Sequence, residues 1–293
     1  MDRSRASAAG RDETLTTLGG SACPVCRAAA RPRIDLGDFR LFHCARCGCW
    51  SSDALARGAR TSFEPHAYFT NADADRARWD DLLRRVQPDG SPPVRALDVG
   101  CGRGDFLRFV GGRAPSAERF GIELDPARAQ DARSADPSAR IAVGPVATAL
   151  AELPGRFDLI TLWDAFEHLA DPAFDLCALS ARLAPGGALF VQTIHEDSVV
   201  PRLGRALYAA SAGRWRGPAR RTHEAHHLVF FSRSGLHRLA DQAGLAIREL
   251  WFDRLASQRM DGGRALVAAT AALLAVENAL GNGLFVNVLL ERA

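Results

Sequence analysis

Residues Ala96 to Phe106 read Ala-Leu-Asp-Val-Gly-Cys-Gly-Arg-Gly-Asp-Phe, an apolar run that ends in a carboxylate and three alternating glycines. This order predicts a strand, a tight turn and the start of a helix at Asp105. Glycine at every second position permits φ > 0 and leaves no Cβ between the backbone and a ligand lying on the turn. The helix that follows aims its unpaired N–H groups and positive dipole end at the same place. A dinucleotide fingerprint, Gly-x-Gly-x-x-Gly, would need a third glycine where Asp105 stands. Here that glycine comes one residue early. Asp98 at the strand tip would repel a pyrophosphate but attract an ammonium or a sulfonium. The turn therefore favours a cation that carries an amino acid over a dinucleotide.

The chain has 293 residues, room for one large α/β domain and a small module. With 47% hydrophobic and 24% charged residues it falls in the globular class, and a net charge of +3 is too small to argue for a nucleic-acid partner. Residues 1–20 are polar, without the apolar segment of a signal peptide, and are expected to be disordered. The longest near-apolar run, Ala265 to Val276, falls short of the ~20 residues of a membrane span. A cytoplasmic chain with reduced thiols is expected.

Four of the seven cysteines form two pairs, Cys23-Pro24-Val25-Cys26 and Cys44-Ala45-Arg46-Cys47, the second followed by Gly48. Two such knuckles place four thiolates around one tetrahedral ion, so Cys23, Cys26, Cys44 and Cys47 are expected to hold structural zinc in a ribbon over residues 21–52. His43 and Cys49 flank the second knuckle and are read as bystanders. A module this small takes its folding energy from the metal, so chelation is expected to unfold it and leave the remainder folded.

The pattern Asp98-x-Gly100-x-Gly102-x-Gly104 resembles motif I of class I S-adenosylmethionine-dependent methyltransferases, and the resemblance continues over residues 92–293. It implies a seven-stranded α/β, Rossmann-like sheet with its last strand antiparallel, carrying the small zinc ribbon at its N-terminal side. Residues 53–91 are then a helical connector and linker, with Trp79, Leu82, Leu83 and Val86 at helical spacing, Asn71 or Asp73 as cap and Pro88 to Pro93 as the break. Tyr68 and Phe69 could join the cover of the site. Arg119 to Glu123 reads as the second strand, Ile141 to Val143 as the third and Phe157 to Trp163 as the fourth. Leu183 to Gly187 reads as a turn, Ala188 to Thr193 as the fifth strand, Ala246 to Trp251 as the sixth and Leu284 to Leu290 as the seventh. The resemblance assigns cofactor contacts to Asp98, Gly100, Cys101, Gly102, Gly104, Glu123, Leu124 and Asp164. Glu123, at a strand end, would accept from both ribose hydroxyls. Family members often place an acid after the third strand to bind the adenine amino group; Gly144-Pro145-Val146 stands there instead, and a backbone N–H is the expected replacement.

Asp164-Ala165-Phe166-Glu167-His168-Leu169 resembles the segment after the fourth strand in ubiquinone-biosynthesis-type methyltransferases. Glu167 and His168 also resemble positions that hold a divalent ion in some of them. Methyl transfer to a hydroxyl is helped by a general base near pKa 7, and His168 and His195 are the candidates, with His223, His226 and His227 further along. The segment at about 195–231 interleaves Arg202, Arg205, Arg214, Arg216, Arg220 and Arg221 with Leu203, Leu207, Tyr208 and Trp215, and is read equally as a solvated cap or as a surface for an anionic substrate or membrane face. The expected activity is methylation of a small-molecule, sugar or lipid-linked acceptor, at oxygen or carbon; the zinc-headed sugar C-methyltransferases are the nearest comparison. An RNA methyltransferase that uses ribbon and arginines for phosphate, and a non-catalytic binder of the cofactor, are the alternatives.

Overall fold

A computed structural model describes residues 22–57, 72–87, 90, 93–253 and 264–293. The polar tail, Tyr68, Phe69, Asn71 and most of the linker before Pro93 lie outside the described residues, as does the side chain of Asp73. Two sheets organise the molecule. The larger has seven strands in the order β10-β11-β8-β7-β4-β5-β6. These are β4 (Arg95–Val99), β5 (Glu118–Glu123), β6 (Arg140–Val143), β7 (Phe157–Trp163), β8 (Leu183–Ile194), β10 (Leu245–Asp253) and β11 (Phe285–Arg292). β4 to β8 run parallel, and β11 lies antiparallel between β8 and β10. The Rossmann-like order with an antiparallel last strand is therefore as expected.

Helices cover both faces, which is why the central strands are continuously apolar rather than alternating. Leu97, Phe157, Leu159, Ile160 and Leu162 have no exposed surface. On one face α1 (Ala72–Val86) sets Leu82 against Ala188, Phe190 and Leu289, and Trp79 edge-on to Phe106 of α2 (Asp105–Arg113). Each such buried side chain contributes roughly 1.5–3 kcal/mol. α3 (Pro126–Ala135) opens on Asp125, whose carboxylate accepts from Ala127 N–H, and α5 (Pro172–Ala181) opens on Asp171 in the same way; α4 (Val146–Glu152) lies between them.

Leu183 to Gly187 differs from the expected turn. β8 begins at Leu183, opposite Phe157, and the next partners are Leu159 and Ala188, so the proline and glycines form an excursion within one strand. Gly186 takes φ 73°, and a Cβ on Gly187 would stand 2.8 Å from the Phe157 carbonyl oxygen. A turn-like sequence here serves a bulge.

The small sheet contains β1 (Arg31–Asp35), β2 (Arg40–His43), β3 (Trp50–Ser52) and a fourth strand, β9 (Val229–Phe230), that comes from far along the chain. β9 pairs with β3 through Trp50↔Phe230 and Ser51↔Val229, and the next residue, Phe231, bridges to His195 at the end of β8. The segment after β8 is folded, as α6 (Val199–Ala210) and α7 (Gly217–Arg220), and it packs on the ribbon. Ala219 and Phe230 join Ile34, Leu36, Phe39 and Leu41 in one cluster. Arg220 donates to the Leu36 carbonyl and grips both carboxylate oxygens of Asp38 at 2.7 and 2.9 Å. Arg205 is paired with buried Glu196, and Arg202 with Asp197. Much of the arginine charge is thus met within the protein, and the segment serves as the seat of the ribbon.

Candidate cofactor and acceptor site

The glycine turn is built from β4 and closed by β5. Gly100 and Cys101 N–H both donate to the Ile122 carbonyl, at 2.8 and 3.1 Å, and Gly104 N–H to Cys101 at 2.8 Å. Gly100, Gly102 and Gly104 have φ of 73°, 54° and 76°, conformations that β-carbons disfavour. Their surroundings differ. A Cβ on Gly100 would stand 2.7 Å from that of Ala165, and one on Gly104 would stand 3.2 Å from that of Ala132, whereas at Gly102 the space is open. Two glycines thus let protein pack on protein, and Gly102 presents bare backbone outward. Cys101 is turned inward and packs in the α3–β6 cluster with Leu107, Ala129 and Ile141.

Glu123 at the end of β5 is tied to this turn. Its Oε2 accepts from Gly102 N–H at 2.8 Å and its Oε1 from Asp125 N–H at 2.9 Å. Each oxygen keeps a lone pair for a further donor. Leu124, the next residue, is 68% exposed, unusual for leucine beside a buried strand end. Asp98 is buried and accepts from Thr161 Oγ at 2.7 Å. Burial pushes its pKa up to about 7; the Thr161 bond opposes this, and Glu123 and Asp105 add to it.

At the tip of β7 the backbone of Asp164 has φ 47°, a left-handed conformation that costs a non-glycine residue about 1 kcal/mol or more. Beside it Trp163, Phe190 and Trp251 wall a cavity of about 230 Å³, with Arg78, Asp81, Asp253 and Asn287 as its polar lining. Arg78 donates to Gln192 Oε1 at 2.9 Å, and Gln192 in turn donates to Asp253 and Asn287. Burial works against the Arg78 charge, but Asp164 and Asp75 outweigh it and raise its pKa. Arg78 carries no signature in the sequence: nothing in its spacing separates it from the other arginines of α1. A larger cavity, about 560 Å³, lies between the ribbon and α6 and shares no lining residue with this one.

Glu167, in the 3-10 turn Phe166–His168, has no exposed surface. Its Oε2 accepts from Thr193 Oγ at 2.8 Å, while Oε1 is buried without a hydrogen-bond partner among the described residues. Burial and neighbouring Asp164 push its pKa up to about 8. His168 is held by the His226 carbonyl, 2.9 Å from Nδ1, and burial lowers its pKa. His195 stands elsewhere: Nδ1 lies 3.1 Å from the Gly283 carbonyl, Nε2 lies 3.6 Å from Asp197, and the ring leans on Phe252. The structure gathers Asp98, the three glycines and Glu123 at one turn, and Asp164, Glu167 and His168 at the tip of β7, two strand tips that adjoin in the β4–β7 pairing. It gives both nitrogens of His195 protein neighbours. His223, fully buried between Ala219 and Glu196, belongs to the packing of α7.

Cys23, Cys26, Cys44 and Cys47 converge and are buried, with Sγ–Sγ separations of 3.6 Å for Cys23–Cys47 and 3.4 Å for Cys26–Cys44. Four sulfurs at ~2.3 Å around a tetrahedral ion stand about 3.8 Å apart, so the donor set suits zinc after a shift of a few tenths of an ångström. Cys49 borders the cluster beside Cys47, and its Sγ also lies against Ser232 and Gly235 at the start of α8 (Arg233–Gln242).

Comparison with known proteins agrees with this fold. A family model described as a methyltransferase domain matches residues 71–250. The trans-aconitate 2-methyltransferase of Methylobacterium radiotolerans is 35% identical over 152 residues, 51% of this chain and 56% of that protein. A ubiquinone biosynthesis O-methyltransferase of Xanthomonas campestris is 37% identical over 123 residues, 41% of this chain and 49% of that protein. The chain thus spans about half the length of the curated relatives it matches. The plantazolicin methyltransferase BamL, solved with a triazolic desmethylPZN analogue and SAH, shares the fold at a TM-score of 0.52 over 76% of this chain and 85% of its own, with 15% identity. With the family model covering more than half of its residues, the chain belongs to the methyltransferase-domain family.

Proposed function

We propose that the protein binds S-adenosylmethionine on the glycine turn and transfers its methyl group to an oxygen of a small-molecule acceptor. The observation that carries this reading is the open backbone at Gly102 between two carboxylates, Glu123 at the strand end and buried Asp98. Glu123 would accept from the two ribose hydroxyls on its remaining lone pairs, and exposed Leu124 would lie against the adenine. Gly144 N–H already donates to the Glu123 carbonyl at 2.9 Å, which leaves the N–H groups opening α4 for the adenine edge. Arg78 and Asp164 suit the carboxylate and ammonium of the amino-acid arm. Bound there, the cofactor supplies an electrophilic methyl on a sulfonium that leaves as a neutral thioether.

Glu167 is the proton acceptor in this reading, with Thr193 fixing its rotamer and His168 beside it. Glu167, when ionised, would take the proton of the acceptor O–H, so that the oxygen would be free to receive the methyl group that the cofactor supplies. Both relatives are named for small molecules and one for O-methylation, which supports this class; sugar and lipid-linked acceptors fall within it. The four-cysteine cluster, in the same reading, holds structural zinc.

Labelled-methyl transfer from S-adenosylmethionine into fractionated cell extract tests the proposal. Label is expected in the small-molecule fraction, and label confined to RNA or protein would overturn it.

A further inference from the structure

Outside the cysteine cluster, one other group of side chains among the described residues brings metal-binding atoms together: His168, His226 and His227, with one nitrogen from each within 4.8 Å of the others. We infer that these three imidazoles form a second metal site, of the zinc class, that leaves a coordination position open to an oxygen ligand.

Two segments distant in sequence are pinned to make the cluster. His168 ends the 3-10 turn after β7, and His226 and His227 lead into β9. Leu228 N–H donates to the Glu167 carbonyl at 2.8 Å, and Phe166 stacks on Phe231 at 4.7 Å, so bonds on either side hold the two segments together. The rings then sit at centroid distances of 5.3 Å (168–226), 5.0 Å (168–227) and 4.3 Å (226–227).

The hydrogen bonds orient the rings and leave one buried nitrogen, on His227, unmet among the described residues. The bond from His168 Nδ1 to the His226 carbonyl requires Nδ1–H, which puts the lone pair on Nε2. His226 Nε2 lies 3.3 Å from a Glu224 carboxylate oxygen. His227 is 4% exposed, and its Nδ1 is buried with no hydrogen-bond partner among the described residues. A ring nitrogen bonded to a carbonyl or carboxylate while the other faces a metal is the usual outer arrangement of ligand histidines.

Around a tetrahedral ion at ~2.1 Å the nitrogens must close to about 3.4 Å. His226, 18% exposed, has room to rotate toward the other two. Three imidazoles and an open fourth position describe a site that polarises a bound oxygen rather than a purely structural one. Two of the three donors come from the β9 approach and no carboxylate takes part. The inference does not depend on the methyl-transfer reading, because metal uptake is measured directly.

Titration of the metal-free full chain with Co²⁺ tests it. The first equivalent should enter the cysteines with intense thiolate charge transfer, and a second should add weaker d–d bands without charge transfer. His226→Ala and His227→Ala should each abolish the second equivalent and keep the first, which also reports that the chain is folded. Uptake of thiolate-type cobalt alone by the wild-type chain would overturn the inference, as would retention of the second equivalent in His226→Ala. Failure of the cysteine site would appear separately, as loss of the charge-transfer band.

Discussion

Asp98 has two states of nearly equal free energy at neutral pH. Burial holds its pKa at about 7 in the unliganded protein, and a cation beside it would bring the value back down. The sign follows directly. Ligand binding requires the ionised form, so below about pH 7 affinity should fall toward tenfold per pH unit, and above it affinity should be flat. Calorimetry of S-adenosylmethionine binding in buffers of different ionisation enthalpy should detect proton release on the acid side only. Asp98→Asn should lose about 1.5–3 kcal/mol of binding and with it the pH dependence; unchanged affinity would remove Asp98 from the site. Glu167 makes a second prediction. With a pKa of about 8 and a role as base, kcat/KM at saturating cofactor should rise with pH up to about 8 and then level off. Glu167→Gln should lower the rate by about 10²–10⁴ and abolish that rise. The meeting of Asp98, Gly102 and Glu123 at one turn was legible in the sequence because a backbone turn and a strand end fix their places locally. Arg78 was not, because a helical arginine acquires meaning only when Gln192 and Asp164 come to it from β8 and β7.

At the scale of elements, strands were legible wherever the apolar run itself decides burial, as in Phe157 to Trp163. The beginning of β8 was not, because proline and glycine mark turns and bulges alike and the difference lies in whether Phe157 is there to pair. β9 is two residues long and exists because Trp50 and Ser51 offer an edge; no local pattern announces such a strand. The join between ribbon and sheet is also tight at α8. Ser232 Oγ accepts from Gly235 N–H at 2.9 Å as the helix cap and reaches the Cys47 carbonyl, while the Cβ position of Gly235 is only 2.0 Å from Cys49 Sγ. Alanine at 235 has a normal helical backbone available, so its cost is purely steric. Gly235→Ala should destabilise the protein by roughly 1–3 kcal/mol in denaturant unfolding, and Gly235→Ala with Cys49→Ala should recover most of that loss. Failure of the second substitution to rescue would show that the contact is not what sets the cost.

Across the whole molecule, the ribbon is fastened to the tip of β7 and not to the glycine turn. Ser52 N–H donates to the Leu228 carbonyl at 2.9 Å, and Leu228 N–H to the Glu167 carbonyl at 2.8 Å, a chain of two bonds from β3 to the tip of β7. The turn at Gly100 to Gly104 draws its own bonds from β5 and Glu123. Reading residues 21–52 from sequence as a unit that unfolds by itself on chelation follows from cysteine spacing, but spacing carries no information about β9, which the ribbon borrows. Loss of the metal should therefore loosen Leu228 to Phe231 as well as the ribbon. Cys47→Ser, which opens the four-cysteine cluster without touching the histidines, tests this. It should raise the acceptor KM at least about tenfold, the loss of roughly 1.4 kcal/mol expected for one poorly fixed bond, while S-adenosylmethionine affinity stays within about twofold of wild type. Hydrogen exchange should quicken at Leu228 to Phe231 in the same variant and remain slow in β4 and β5. Equal loss at both ends of the site would mean that the ribbon supports the whole sheet, and no loss at either would mean that β9 holds its place without the metal.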